Sequence, residues 1–187
     1  MSSAVSIMPT MDKDNAVFKI ITGEYLNYVG ALSIKRDDLI APSNITKKLH
    51  KLVNATSESL FANYYDFIDR QVSSNLNYTA FTKSVDNAKS PFGKFTTLLC
   101  IYAVCDKFIE NNPSSKEKTA EFLQYVITYL TNDEFANEVS TDQKFLDFVN
   151  SCVKESTFNN KNKSNIIAFS TGALLVGGLV AAYFICK

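Results

Sequence analysis

The chain has 187 residues, with 19 basic and 19 acidic side chains and therefore no net formal charge. Acids and bases are interspersed, so no basic stripe suited to a nucleic acid forms. Only 6 glycines and 4 prolines stand against 14 Phe and 9 Tyr, and scarce breakers with long apolar periodicity predict an all-α fold.

Residues 1–13 read as a flexible N-terminus and residues 14–155 as one helical domain. The first predicted helix starts near Asp14 and ends near Leu32, with Val17, Ile20, Ile21, Tyr25, Tyr28 and Leu32 recurring on one face. Residues 33–43, charged and containing Pro42, make a short connection. Ser43 or Asn44 can cap a second helix. Along it Ile45, Leu49, Val53, Leu60, Tyr64, Phe67 and Ile68 share one side, with a break expected near 61–63. A shorter helix is predicted over 75–88, with Tyr78, Phe81 and Val85 on one stripe.

Ser90-Pro91 is a strong helix-start signal. Ser is a good N-cap, and Pro is tolerated at the first helical position because its missing N–H is not needed there. The helix it opens, to about Asn111, is apolar nearly all round and so is expected to be the buried central strut. Pro113 stops it, and Ser114-Ser115-Lys116-Glu117 has the form of a capping box that starts a hairpin partner carrying Phe122, Leu123, Val126, Ile127 and Leu130. A last amphipathic stretch over about 141–154 presents Phe145, Phe148, Val149 and Cys152.

Residues 156–165, rich in Asn, Lys and Ser, read as a linker. The segment 166–186 then runs uncharged for about 21 residues, roughly 31 Å as a helix, which predicts a transmembrane tail anchor. With Lys161 and Lys163 before it and Lys187 after it, the expected location is the mitochondrial outer membrane, facing the cytosol, or the endoplasmic reticulum.

The catalytic inventory is poor. His50 is the only histidine and lies on a helical face between Leu49 and Lys51, so it reads as solvated or half-buried. No phosphate-cradling glycine loop, zinc-protease motif or nucleophile elbow occurs. Cys100, Cys105, Cys152 and Cys186 form no CxxC pair and read as small hydrophobes in a reducing setting. The expectation is a non-enzyme without metal or cofactor.

Three segments resemble the Bcl-2 family of apoptosis regulators. Ser90-Pro91-Phe92-Gly93-Lys94 opens the central helix where that family has an Asn-Trp-Gly-Arg signature, with Phe92 for the tryptophan, Gly93 kept and Lys94 keeping the positive charge. Phe145-Leu146-Asp147-Phe148-Val149 is similar to the aromatic-led end of its second homology region, although Gln143 and Lys144 stand where paired glycines are usual. Leu49, Val53, Ser57, Glu58 and Leu60 follow the spacing of a BH3 segment, with Ser57 for the usual glycine and Glu58 for the usual aspartate.

The resemblance implies a Bcl-2-like helical bundle around a buried central hairpin, closed by the C-terminal transmembrane helix. It implies an anti-apoptotic protein that binds the BH3 helices of pro-apoptotic relatives in a hydrophobic groove and blocks mitochondrial apoptosis. Leu60, Tyr64, Phe67 and Ile68 would form one wall and Tyr78, Phe81 and Val85 the other. Phe92, Gly93, Lys94, Thr97 and Ile101 would lie along the central helix beneath, with Lys94 meeting the ligand's aspartate. Expected partners are BH3-containing proteins, the membrane, and a homo- or heterodimer mate within the family. The alternatives are a pore-forming executioner of the same fold and an unrelated anchored helical adaptor.

Overall fold

The computed structural model describes residues 11–33, 42–74, 77–86 and 90–158. They form eight α-helices: α1 (Met11–Ser33), α2 (Asn44–Ser59), α3 (Phe61–Ser73), α4 (Tyr78–Asp86), α5 (Pro91–Asn111), α6 (Lys116–Leu130), α7 (Asp133–Ser140) and α8 (Gln143–Phe158). α5 is the centre of the bundle and packs against α2, α3, α6 and α7. Its buried residues Phe95, Leu98, Leu99, Cys100, Ile101, Tyr102, Val104, Cys105 and Phe108 point in every direction around the axis. From Phe95 to Cys105 it carries no charge, and a stretch apolar on every side has to be enclosed.

Local signals set most boundaries. The Ser43 hydroxyl accepts the Thr46 N–H at 3.2 Å and caps α2. Glu24 of α1 fixes that cap from outside, accepting the Ser43 N–H at 2.5 Å and its hydroxyl at 2.8 Å. The break between α2 and α3 falls at Leu60, whose backbone (φ −117°, ψ 21°) leaves the helical region. The capping box expected at Ser114 gives way to one turn of 3₁₀ helix over Pro113–Ser115, and α6 starts at Lys116 with no side-chain cap on Ser115.

α7 was not anticipated. Asn132 caps it by accepting the Glu134 and Phe135 N–H groups, Asp133 and Glu134 complement the dipole of the first turn, and Phe135, Ala136 and Val139 face the core. α1 packs along α7 and α2. Phe18 of α1 is fully buried at the junction, with edge-on contacts to Phe95 of α5 (5.0 Å), Phe135 of α7 (6.1 Å) and Phe145 of α8 (5.8 Å). Such pairings add about 0.5–1.5 kcal/mol each beyond the area buried, so this cluster ties four helices together.

The expectation of a membrane-spanning helix has to be corrected. Among the described residues no helix is long and apolar enough to cross a membrane. The two longest, α1 and α5, carry charges along their length: Lys19 and Glu24 in one, Lys94, Asp106, Lys107 and Glu110 in the other. Residues 166–186, on which the anchor was placed, lie outside the described residues, as does most of the 156–165 linker. The transmembrane element of the fold, the membrane partner and the mitochondrial or reticular location drawn from it are not sustained.

His50 sits where α2 meets α1, its ring 5.2 Å from Tyr28 and 6.3 Å from Tyr25. Its Nε2 lies 3.1 Å from the Asn54 side-chain nitrogen, so it accepts there, a role lost on protonation; its Nδ1 is buried without a partner. Burial lowers the imidazole pKa below its ordinary 6.5. The unfolded chain therefore takes up the proton first, and the stability linked to His50 is present above pH 6.5 and lost as pH falls below it. Thermal melts between about pH 7.5 and 5.5 should show the midpoint falling more steeply in the wild type than in His50→Gln. Equal slopes would remove His50 as the cause.

Candidate functional site

The first turn of α5 is the best-defined polar site in the molecule. Pro91 has no N–H to satisfy. The Phe92 N–H is accepted by Asp142 at 3.1 Å, the Gly93 N–H by the Ser90 hydroxyl at 3.1 Å, and the Lys94 N–H by the Ser90 carbonyl at 2.9 Å. Every amide of that turn is thus accounted for. Gly93 matters for the same reason: a Cβ there would stand 3.0 Å from the Ser90 Oγ and crowd the cap. Asp142 also accepts the Lys144 N–H at 2.8 Å, so a single carboxylate caps α5 and α8 together.

Lys94 projects from this turn with only 14% of its side chain exposed. Its ammonium is 3.2 Å from Asp86, the last residue of α4, and 4.0 Å from Glu138 of α7. Asp86 also accepts the Tyr129 hydroxyl of α6 at 2.5 Å. The Tyr129 hydrogen bond above all, with Lys94 adding to it, holds the Asp86 carboxyl below its ordinary range, although burial pushes the other way. Tyr129 itself is pushed up, by burial first and then by Asp86. A cation in the first turn of a helix opposes the helix dipole, and the two carboxylates offset that.

The other expected site residues fall into three groups. Tyr64 of α3 lies over α5 beside Thr97 and Cys100, and burial raises its hydroxyl pKa to about 12. Phe67 of α3 and Phe81 of α4 meet on one ring, Phe122 of α6, at 6.3 and 5.6 Å. Tyr78 stacks beside Phe81 at 6.2 Å and against Tyr125 at 5.5 Å. Phe67 and Phe81 thus meet on α6 and Tyr64 lies on α5; of the expected site residues Ile68, Phe81, Val85 and Ile101 are buried, and Phe67, Tyr78 and Thr97 are half-buried. Leu60, at the α2–α3 break, is 42% exposed. Phe92 is placed elsewhere: it packs on Phe145 (6.0 Å) and Phe148 (5.6 Å) of α8.

Phe122, Tyr125 and Tyr129 of α6 were missed as part of this region, although their spacing of three and four residues marks one helical face. Asp86, Glu138 and Asp142 carried no such signal, because each acts on a residue of another helix. The two thiols of α5 offer no competing chemistry. Burial pushes Cys100 up to about 11 and Cys105 well above its usual value, so both stay protonated. Among the described residues no His, Cys, Asp and Glu group could hold a metal ion.

Compared with known proteins, the chain matches no family model, and no characterised protein or solved structure is significantly similar to it. The functional reading therefore rests on the geometry above.

Replacing Asp142 by Ala removes the acceptor for two helix starts at once and should cost about 2 kcal/mol. Urea unfolding would register this as a lower midpoint with an unchanged slope. An unchanged midpoint would show that Asp142 does not fasten α8 to α5.

Proposed function

We propose that this protein is a helix-capturing regulator of the Bcl-2 type. It binds the amphipathic BH3 helices of pro-apoptotic relatives in the region bounded by α3, α4 and the first half of α5, and by occupying them blocks apoptosis. The observation that carries the reading is the setting of Lys94. The residue matching the signature arginine opens the central helix, which is buried along most of its length, and stands beside α4, whose Phe81 meets Phe67 of α3 on the Phe122 ring of α6. Helix-in-groove recognition needs these parts: apolar surface for anchors at i, i+3 or i+4 and i+7, and a polar group at the rim to set register. The mechanism is competitive occupancy, with no bond made or broken.

The α2 helix favours this reading over a pore-forming executioner. An executioner must offer its own BH3 segment to a partner. Here Leu49, Val53 and Ser57 of that segment are buried and face the core, and the Val53 carbonyl is 3.7 Å from the Cys100 thiol. Of the five pattern residues, Glu58 and Leu60 are exposed.

The test is calorimetric titration of the full-length chain with a panel of BH3 peptides, beside Leu60→Glu. At least one peptide should bind with a Kd of about 1 µM or tighter, and the substitution should weaken it about tenfold or more. Leu60 is exposed, so the substitution should leave the thermal midpoint within a few degrees of the wild type. Failure of every peptide to bind, or binding indifferent to Leu60→Glu, would overturn the reading.

A further inference from the structure

We infer that Asp86, fastened by Tyr129, is the specificity-determining residue of this groove: it occupies Lys94, so the groove accepts helices with a neutral residue where an acidic one would face the lysine. The inference rests on the helix-capturing reading above and concerns which helices that site takes.

The argument is one of exchange. The Lys94 ammonium has three N–H donors, and Asp86 already takes one of them at 3.2 Å while Glu138 stands 4.0 Å away. Asp86 is not held by Lys94 alone, because the Tyr129 hydroxyl donates to it at 2.5 Å, and Glu138 stands 4.0 Å from the same ammonium. The set Lys94, Asp86 and Glu138 carries one positive and two negative charges. An acidic ligand residue must therefore displace Asp86, breaking both its bonds, or approach a site whose local charge is already negative. In the first case one carboxylate replaces another on the same lysine and the gain is small. In the second the approach is repulsive. Neither rewards an acid on the ligand, whereas a free cation at that point would reward it strongly, as charge-assisted pairs do when partly desolvated.

A neutral residue avoids the exchange. Asn, Ser or Ala at the corresponding position leaves the Tyr129–Asp86–Lys94 chain intact and lets the apolar anchors carry the binding. Asp86 is 54% exposed at the end of α4, at the rim where a ligand residue would arrive, so it is placed to compete directly. Sequence patterning gives no hint of this, because the lysine and its internal partner lie on different helices.

The experiment compares one binding BH3 peptide with its Asp→Asn counterpart, on the full-length wild type, Asp86→Asn, and Asp86→Asn combined with Lys94→Gln. The expected result is a ratio of affinities, acid-bearing over neutral, within about threefold of one in the wild type, rising to about tenfold or more in Asp86→Asn. It should return towards one in the double variant, which shows that the gain runs through Lys94. A wild-type ratio already near tenfold would mean that Lys94 is available, and would overturn the inference. A ratio near one in both the wild type and Asp86→Asn would mean that the ligand residue does not meet Lys94; that too overturns the inference while leaving the groove standing. No binding of either peptide to any of the three proteins would overturn the groove and the inference together.

Discussion

The enclosure of α5 is the constraint on which the rest of this structure depends. Nine of its residues are buried, distributed around the whole circumference, so no arrangement with a single partner helix could cover it. α2, α3, α6 and α7 supply the cover, and each does so with one apolar stripe while turning a polar face outward. Buried apolar area contributes about 25 cal/mol per Å², and α5 brings nine buried residues to that sum. The outer helices are ordered around it, and the aromatic junction at Phe18 closes the end where α1, α7 and α8 converge.

Enclosing a helix raises a problem at its N-terminus, where amide groups leave the helical ladder without partners. Ser90, Pro91 and Asp142 resolve it, and the solution has consequences beyond α5. Because Asp142 also caps α8, the start of the central helix fixes the start of the last one. Because Lys94 belongs to the same turn, its charge faces the positive end of the dipole and draws in carboxylates from α4 and α7. Local capping, long-range packing and the electrostatics of the candidate site are thus properties of the same five residues, 90–94. A substitution that disturbs the cap moves the lysine as well.

The sequence was legible where a signal was local and repeated. The Ser90-Pro91 start, the apolar circumference of α5, a cap at Ser43 or Asn44 and a break expected near 61–63, which falls at Leu60, could each be read from a few neighbouring residues. α7 was overlooked because eight residues hold barely two turns, too few for periodicity to stand out, although Asn132 and the acids after it are a good start signal. Phe92 was grouped with the groove because the signature it resembles runs straight through Phe92-Gly93-Lys94. On a helix, residues two apart point about 200° apart, so Phe92 turns to α8 while Lys94 turns to α4. The apolar composition of 166–186 suggested a membrane span, but the helices described here contain none. The partners of Lys94 and of the α5 cap were invisible for another reason: Asp86, Glu138 and Asp142 lie 8, 44 and 50 residues from the groups they bind, and only the fold brings them there.

The same packing decides how a helix could be received. Ile68, Phe81, Val85 and Ile101 are buried, so the region between α3 and α4 offers mainly its half-buried rim, Phe67, Tyr78 and Thr97, together with exposed Leu60. A deeper seat requires one wall to give way, and the walls are unequal. α3 lies along α5 and α6, with Tyr64, Ile68 and Val72 all buried. α4 has nine residues, too short to be stable as a helix without tertiary support. Its support is Phe81 among Phe122, Tyr125 and Tyr129, the buried Val85, and the Asp86 contacts with Tyr129 and Lys94. Asp86 is therefore one of the ties holding α4 against the bundle, and the same contacts underlie the charge preference proposed for it. A ligand that displaced Asp86 from Lys94 would loosen the wall it has to pass, which couples ligand charge to the depth at which a helix can be seated.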